Sequence, residues 1–243
     1  MSEKRDDYAQ LSELVYNDQA RNEIESRQYL HQCLSSLNDK CDLLCQGHVE
    51  KIVRFRHEDP GRYGPCDLIV IAEIIDATEE KRRRAFVWEV KAPQLPLFEE
   101  ETKNRVKPSV HLVSAENQLF HYHEDKLGSD AFRDEFGLLS SEDVLLGGIL
   151  IGRNDNMLKR KNISPEDGER LYRTALRLRR RYIYKKNNME LMTWSNILRR
   201  LQPAERGDSI LERAGLLDSE MVQMLEEEGV DYVGGNSAKK LTA

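Results

Sequence analysis

The sequence predicts an α/β fold, a mixed β-sheet flanked by helices, and three observations carry that expectation. Short apolar runs of strand length, within PCDLIVIAEII, RRRAFVWEV and VLLGGILIG, end at turn-forming or charged residues. Longer stretches, 6–37, 109–127 and the segment opened by Pro165, place apolar residues near a 3.6-residue period. Hydrophobic residues make up 39% of 243, enough for one core.

Residues 6–37 read as one helix, because no Pro or Gly interrupts them. HVEKIVRFR, 48–56, alternates enough to be a strand, and HEDPGRYGP turns after it. A hairpin spans 66–91, with DATEEKRRR as its exposed turn, so Arg82, Arg83 and Arg84 are assigned to that turn. The three prolines of 92–108 predict a loop, and a helix follows from about Ser109 to Leu127. Residues 144–152 are too apolar for a sheet edge and read as a central strand. Pro165 starts a helix with Leu171, Ala175, Leu178 and Tyr182 on one stripe. MELMTW reads as a last strand and SNILRRL as a short helix capped by Ser195. The acidic segment after Pro203 reads as a helical tail with a disordered end.

No apolar run is long enough to span a bilayer, and MSEKRDDYAQ lacks the apolar core of a signal peptide, so a cytoplasmic protein without membrane contact is expected. Cysteines at 33, 41, 45 and 66 lack zinc-site spacing and are expected to be reduced structural thiols. His121 and His123 stand two apart on a helix and face different ways, which rejects them as a ligand pair. The net charge of −6 conceals an uneven distribution. Arg153 to Arg200 holds 14 basic and 5 acidic residues, whereas Pro203 to Val233 holds 2 basic and 9 acidic. The basic stretch, with Arg173, Arg177, Arg180 and Arg181 at helical spacing, reads either as a DNA contact face or as a solvated helix surface.

The chemistry concentrates in the hairpin. Side chains alternate along a strand, so Glu89 and Lys91 share one face while Val90 takes the other. The return of the hairpin brings Asp67 beside them. Glu73 has the same parity as Asp67 but lies toward the strand's far end. Two carboxylates with open oxygen positions suit Mg2+ or Mn2+, and a lysine beside them can orient or deprotonate a water.

Asp67, Glu89 and Lys91 form a pattern that resembles the PD-(D/E)xK nuclease superfamily, although Cys66 separates Pro65 from the acid. The blocks WEVKAPQLPLF, AENQLFHYHED, GGILIGRN and MELMTWSNILRRL, within about Asn22 to Leu201, resemble more specifically the catalytic domain of the Shedu anti-phage nucleases. That resemblance implies a restriction-endonuclease-like mixed sheet, metal-dependent cleavage of DNA in antiviral defence, and a homo-oligomer, dimer or tetramer. It implies metal ligation by Asp67, Glu89 and the Val90 carbonyl, with Lys91 placing the attacking water. Gln118 matches the family's helix glutamine. NEIESRQYLHQCL matches an early helix that supplies a glutamate, which makes Glu25 a further site residue and Glu23 its alternative. The implied organisation is an N-terminal helical extension over 1–21, a nuclease domain over 22–202, and the acidic tail over 203–243. The competing expectation is a catalytically silent nucleic-acid-binding sensor or scaffold with the same fold, against which the retention of Asp67, Glu89 and Lys91 argues.

Overall fold

A computed structural model of the chain describes residues 3–19, 22–36, 43–57, 66–75 and 79–202. Helices α1 (Glu3–Tyr16) and α2 (Glu23–Ser36) lead into strands β1 (His48–His57), β2 (Leu68–Ile75) and β3 (Lys81–Val90). The small strands β4 (Phe98–Thr102) and β5 (Arg105–Pro108) precede helices α3 (Val110–Leu127) and α4 (Asp130–Phe136). Strands β6 (Val144–Leu150) and β7 (Leu158–Lys159), helix α5 (Pro165–Arg179), strand β8 (Glu190–Met192) and helix α6 (Trp194–Leu201) complete the order.

The expected α/β class is what the chain adopts. A five-stranded mixed sheet runs β1-β2-β3-β6-β8, with β1, β2 and β3 antiparallel and β3, β6 and β8 parallel. Leu68 of β2 faces Trp88 of β3, and Val90 faces Leu150 of β6, which in turn faces Met192 of β8. The central strands are apolar on both sides because helices cover both faces. Ile69, Ile71, Val87 and Ile149 belong to a core with Leu112, Ala115 and Leu119 of α3 and with Phe132 and Phe136 of α4. Leu68, Val70, Phe86, Trp88, Val90 and Leu150 belong to a second core with Leu11 and Val15 of α1, Leu30 and Leu34 of α2, and Trp194 and Ile197 of α6. Burial of each such side chain contributes roughly 1.5–3 kcal/mol. A second sheet, β5-β4-β7, stands apart from the first.

The Trp88 indole fixes the register between the two halves of the main sheet. Its Nε1 donates to the Leu44 carbonyl at 2.9 Å. A Cβ added at Gly147 would lie 2.2 Å from that nitrogen. The β3–β6 pairing slips by one residue there, from Val87↔Leu146 to Trp88↔Gly148, so glycine admits the indole at a bulge.

Several expectations need correction. The helix expected over 6–37 is two helices: the Asn17 side chain accepts from the Gln19 N–H at 2.9 Å, and Gln94 Nε2 donates to the Leu14 and Asn17 carbonyls at 3.0 and 2.8 Å. Local and long-range partners thus satisfy a helix end that periodicity alone does not reveal. The loop expected over 92–108 contains the β4–β5 hairpin, with Pro108 on the outer strand of its sheet. Arg82, Arg83 and Arg84 lie in β3 rather than in a turn; Arg82 Nε is 2.5 Å from buried Asp143 and Arg83 Nη2 is 3.1 Å from Glu73. Helix α6 is capped by Thr193, whose side chain accepts from the Asn196 N–H, and Ser195 instead accepts from the Asn154 N–H. The stripe expected on α5 is rotated: Leu178 and Tyr182 are exposed, while Tyr172, Ala175 and Leu176 pack on the core.

Segment 58–65 and the acidic tail 203–243 lie outside the described residues, as does Cys41. Cys33 and Cys66 are buried free thiols and Cys45 is a half-buried one. No helix among the described residues is long and apolar enough to cross a membrane.

Candidate active site

Four of the residues singled out in the sequence meet at one end of the main sheet. Asp67 immediately precedes β2, Glu89 and Val90 end β3, and Lys91 follows them. Antiparallel pairing of Leu68 with Trp88 sets Asp67 beside the end of β3. Asp67 Oδ2 accepts the Val90 N–H at 2.9 Å. The N–H and C=O of one strand residue point to the same edge, so the Val90 carbonyl is directed to the side where Asp67 stands. Lys91 Nζ lies 2.5 Å from Glu89 Oε1. The backbone of this corner is tied on three sides: the Lys91 N–H donates to the Leu150 carbonyl at 2.8 Å, Trp194 Nε1 donates to the Lys91 carbonyl at 2.7 Å, and the Ala92 N–H donates to Glu23 Oε2 at 3.3 Å.

Burial controls the electrostatics. The Glu89 side chain is fully buried, at 0% exposed, and neither of its oxygens receives a well-aligned hydrogen bond. Desolvation, helped by the neighbouring Asp67 charge, pushes its carboxyl up to about 8, against the lowering effect of Lys91. Burial works to lower the Lys91 ammonium, yet its close contact with Glu89, with the charges of Glu23 and Asp67, leaves it above its ordinary value. The Tyr122 phenol, from α3, is pushed up to about 12 by burial and then by the Glu89 and Asp67 charges. Cys66 donates to the Leu68 carbonyl at 3.4 Å; burial pushes its thiol up to about 12, which makes it inert at neutral pH.

The early helix enters this site by a different face from the one expected. Glu25 is exposed, whereas Glu23 bonds the Ala92 N–H and Arg27 pairs with Asp67 Oδ1. The Arg27 side chain is 7% exposed and that of Asp67 17%. Arg27 was not singled out in the sequence. Its only sequence signal is its position one helical turn after Glu23. Gln118 is half-buried and accepts from Ser114 Oγ at 3.5 Å; no hydrogen bond among the described residues joins it to Asp67, Glu89 or Lys91. Glu73 is paired with Arg83 in the body of the hairpin, six residues from Asp67. His121 is exposed and the His123 ring is 2.9 Å from the Val144 carbonyl, so the two do face apart.

The donor set suits a hard divalent cation in one respect and resists it in another. Two carboxylates and a backbone carbonyl are oxygen ligands of the kind Mg2+ takes together with waters, and the unaligned oxygens of buried Glu89 have capacity for a cation. Against this, Arg27 already holds Asp67 Oδ1. Among the described residues no three His, Cys, Asp or Glu side chains form a metal-holding group.

The expected DNA face is divided. Arg173 pairs with Glu169 at 2.7 Å, and Arg180 is half-buried. Arg177 and Arg181 are exposed. No protein-family model matches the chain, and neither does any curated protein sequence.

Proposed function

We propose that this protein is a cytoplasmic, metal-dependent deoxyribonuclease that hydrolyses DNA phosphodiesters, with the antiviral role and homo-oligomeric assembly that the resemblance to the Shedu nucleases implies. The observation that carries the reading is the convergence of Asp67, buried Glu89 and Lys91 at the end of two adjacent strands. Asp67, Glu89 and the Val90 carbonyl would hold Mg2+ or Mn2+. When bound, such a cation supplies Lewis-acid polarisation of a phosphoryl oxygen.

The chain's own groups then divide the remaining work. Lys91, which stands beside Glu89, places the incoming water by hydrogen bonding. The Val90 N–H fixes the Asp67 carboxylate, and Trp194 fixes the backbone of Lys91. Arg177, Arg180 and Arg181 supply positive charge for the phosphate backbone.

The rival reading, a nucleic-acid-binding protein without cleavage, is favoured by one observation: Arg27 already satisfies Asp67 as an internal cation. Plasmid nicking by the purified protein with Mg2+, with Mg2+ plus EDTA, and by Lys91→Ala separates the two. The nuclease reading expects nicked product only in the first case, with the melting temperature and DNA affinity of Lys91→Ala nearly unchanged. Metal-independent nicking, or nicking retained in Lys91→Ala, would remove the proposed site from the chemistry. DNA binding with no nicking under any condition selects the silent binder.

A further inference from the structure

Helix α5 does not end at Arg179 but runs into a π turn, Arg180–Tyr184. One extra residue in that turn rotates the chain beyond it. Tyr184 is turned inward, 2% exposed, and its hydroxyl donates to Glu116 Oε1 at 2.6 Å. Tyr182 is turned outward and is 54% exposed, with exposed Leu178 one turn before it.

The surroundings of Tyr182 are cationic. Arg181 Cζ lies 5.5 Å and Lys186 Nζ 5.8 Å from the ring centroid. Arg170 to Met189 contains eight Lys or Arg and no Asp or Glu. Arg170, Arg173 and Arg179 are paired with Asp167, Glu169 and Glu116. Arg177, Arg181, Lys185 and Lys186 are exposed, and none of these four has an ion pair among the described residues. An exposed aromatic ring flanked by cations matches two features of an unpaired nucleotide. The cations meet its phosphates, and the ring face meets its base. A duplex keeps its bases stacked on each other, so it can use the cations but not the ring.

We propose that Tyr182 is a base-stacking platform for single-stranded DNA, flanked by Arg177, Arg181, Lys185 and Lys186 as phosphate contacts. The proposal rests on the DNA-binding part of the proposed function and deepens it by naming the form of DNA. When a base takes a face of the ring, the long cationic side chain there turns to the adjoining phosphate, a movement that exposed arginine and lysine make readily.

Fluorescence anisotropy on the full chain in EDTA tests it, using a labelled oligothymidylate and a labelled duplex of equal length. Tyr182→Ala is expected to weaken oligothymidylate binding by about tenfold and duplex binding by less than about twofold. The salt slope should stay unchanged, because no charge is removed. Tyr182→Trp should keep or improve single-strand binding. Unchanged oligothymidylate affinity in Tyr182→Ala, an equal loss on both ligands, or no single-strand binding by the wild type overturns the platform. Since EDTA removes cleavage from the assay, a protein that nicks nothing yet shows the Tyr182 effect loses the nuclease reading and keeps this one.

Discussion

Replacing Glu89 by Gln should make the metal-free protein more stable at pH 8 and leave it little changed at pH 5. Burial raises the Glu89 carboxyl from its ordinary 4.5 to about 8. Between those values the folded protein holds a proton that the unfolded chain has released, so stability falls as pH rises through the window. Each pH unit of that difference is worth about 1.4 kcal/mol. The whole window therefore costs the wild type about 3–5 kcal/mol. Gln has the shape of the protonated acid and no proton to lose, so the variant escapes this cost. Lys91 adds no pH dependence of its own here: with a folded pKa above its ordinary 10.5 it stays protonated, folded or unfolded, throughout this window. For a domain of this size the expected gap in Tm at pH 8 is about 10 °C, closing toward pH 5. Thermal unfolding of both proteins in EDTA from pH 5 to 8 reads it directly. Tm curves that run parallel across the range would refute the reasoning, because Glu89 would then ionise at an ordinary pH despite its burial. Excess Mg2+ at pH 8 should raise the Tm of the wild type and not that of Glu89→Gln, since a cation bound only to the folded state stabilises it.

Two further outcomes are expected. Arg27→Gln removes the cation that competes for Asp67, so Mg2+ affinity measured by calorimetry should rise by about tenfold, whereas Arg27→Lys should stay near the wild type; weaker binding in Arg27→Gln would mean that the guanidinium orients Asp67 for the metal. Arg177→Gln combined with Arg180→Gln should lower DNA affinity alike for unrelated sequences and flatten the log-log salt slope by roughly 1–2 units, and an unchanged slope would leave that face merely solvated.

How much the sequence revealed depended on how local the causes were. The apolar runs and the spacing of Asp67, Glu89 and Lys91 are local, and the pairing of β2 with β3 and the nearness of these three residues follow from them, although β3 starts earlier than expected. Helices α3 and α5 were legible from Ser109 and from Pro165, which comes directly after the cap Ser164. Helix α4 carries equally local signals, the cap Ser129 and the left-handed Gly137, and these were overlooked. The break between α1 and α2 is of another kind. Apolar periodicity runs on through it, and the partners that satisfy the break come from Gln94, more than seventy residues away. That break turns α2 so that Glu23 and Arg27 face the sheet end and Glu25 faces solvent. The choice between Glu25 and Glu23 was therefore not available from the helix alone. The rotated stripe on α5 has a similar origin, because the Arg179 to Glu116 ion pair and the Tyr184 hydroxyl bond draw one face inward and the π turn exposes another.

The α1–α2 corner also connects the site to β6 and its following loop. Arg153, 4% exposed, donates from Nη1 to the Val15 carbonyl at 3.0 Å, and its Nη2 lies 2.9 Å from Asp18 Oδ1. Gln94 adds its bonds to Leu14 and Asn17, accepts from the Asn22 N–H at 3.3 Å, and receives Asn156 Nδ2 on its own carbonyl at 3.0 Å. These two residues hold the start of α2, from which Glu23 and Arg27 project. Gly152, beside Arg153, has φ +65 and would bring a Cβ within 2.5 Å of the Leu95 carbonyl oxygen, so glycine is required where the two loops meet. The backbone of Lys91 and the carboxylates of Asp67 and Glu89 are held by strands and by these loops, while Arg27 and Lys91 reach the site on long side chains whose charged ends meet Asp67 and Glu89. The Arg27–Asp67 pair therefore rests on a start of α2 that Arg153 and Gln94 fix, so Arg153→Ala or Gln94→Ala should loosen that pair without touching either residue.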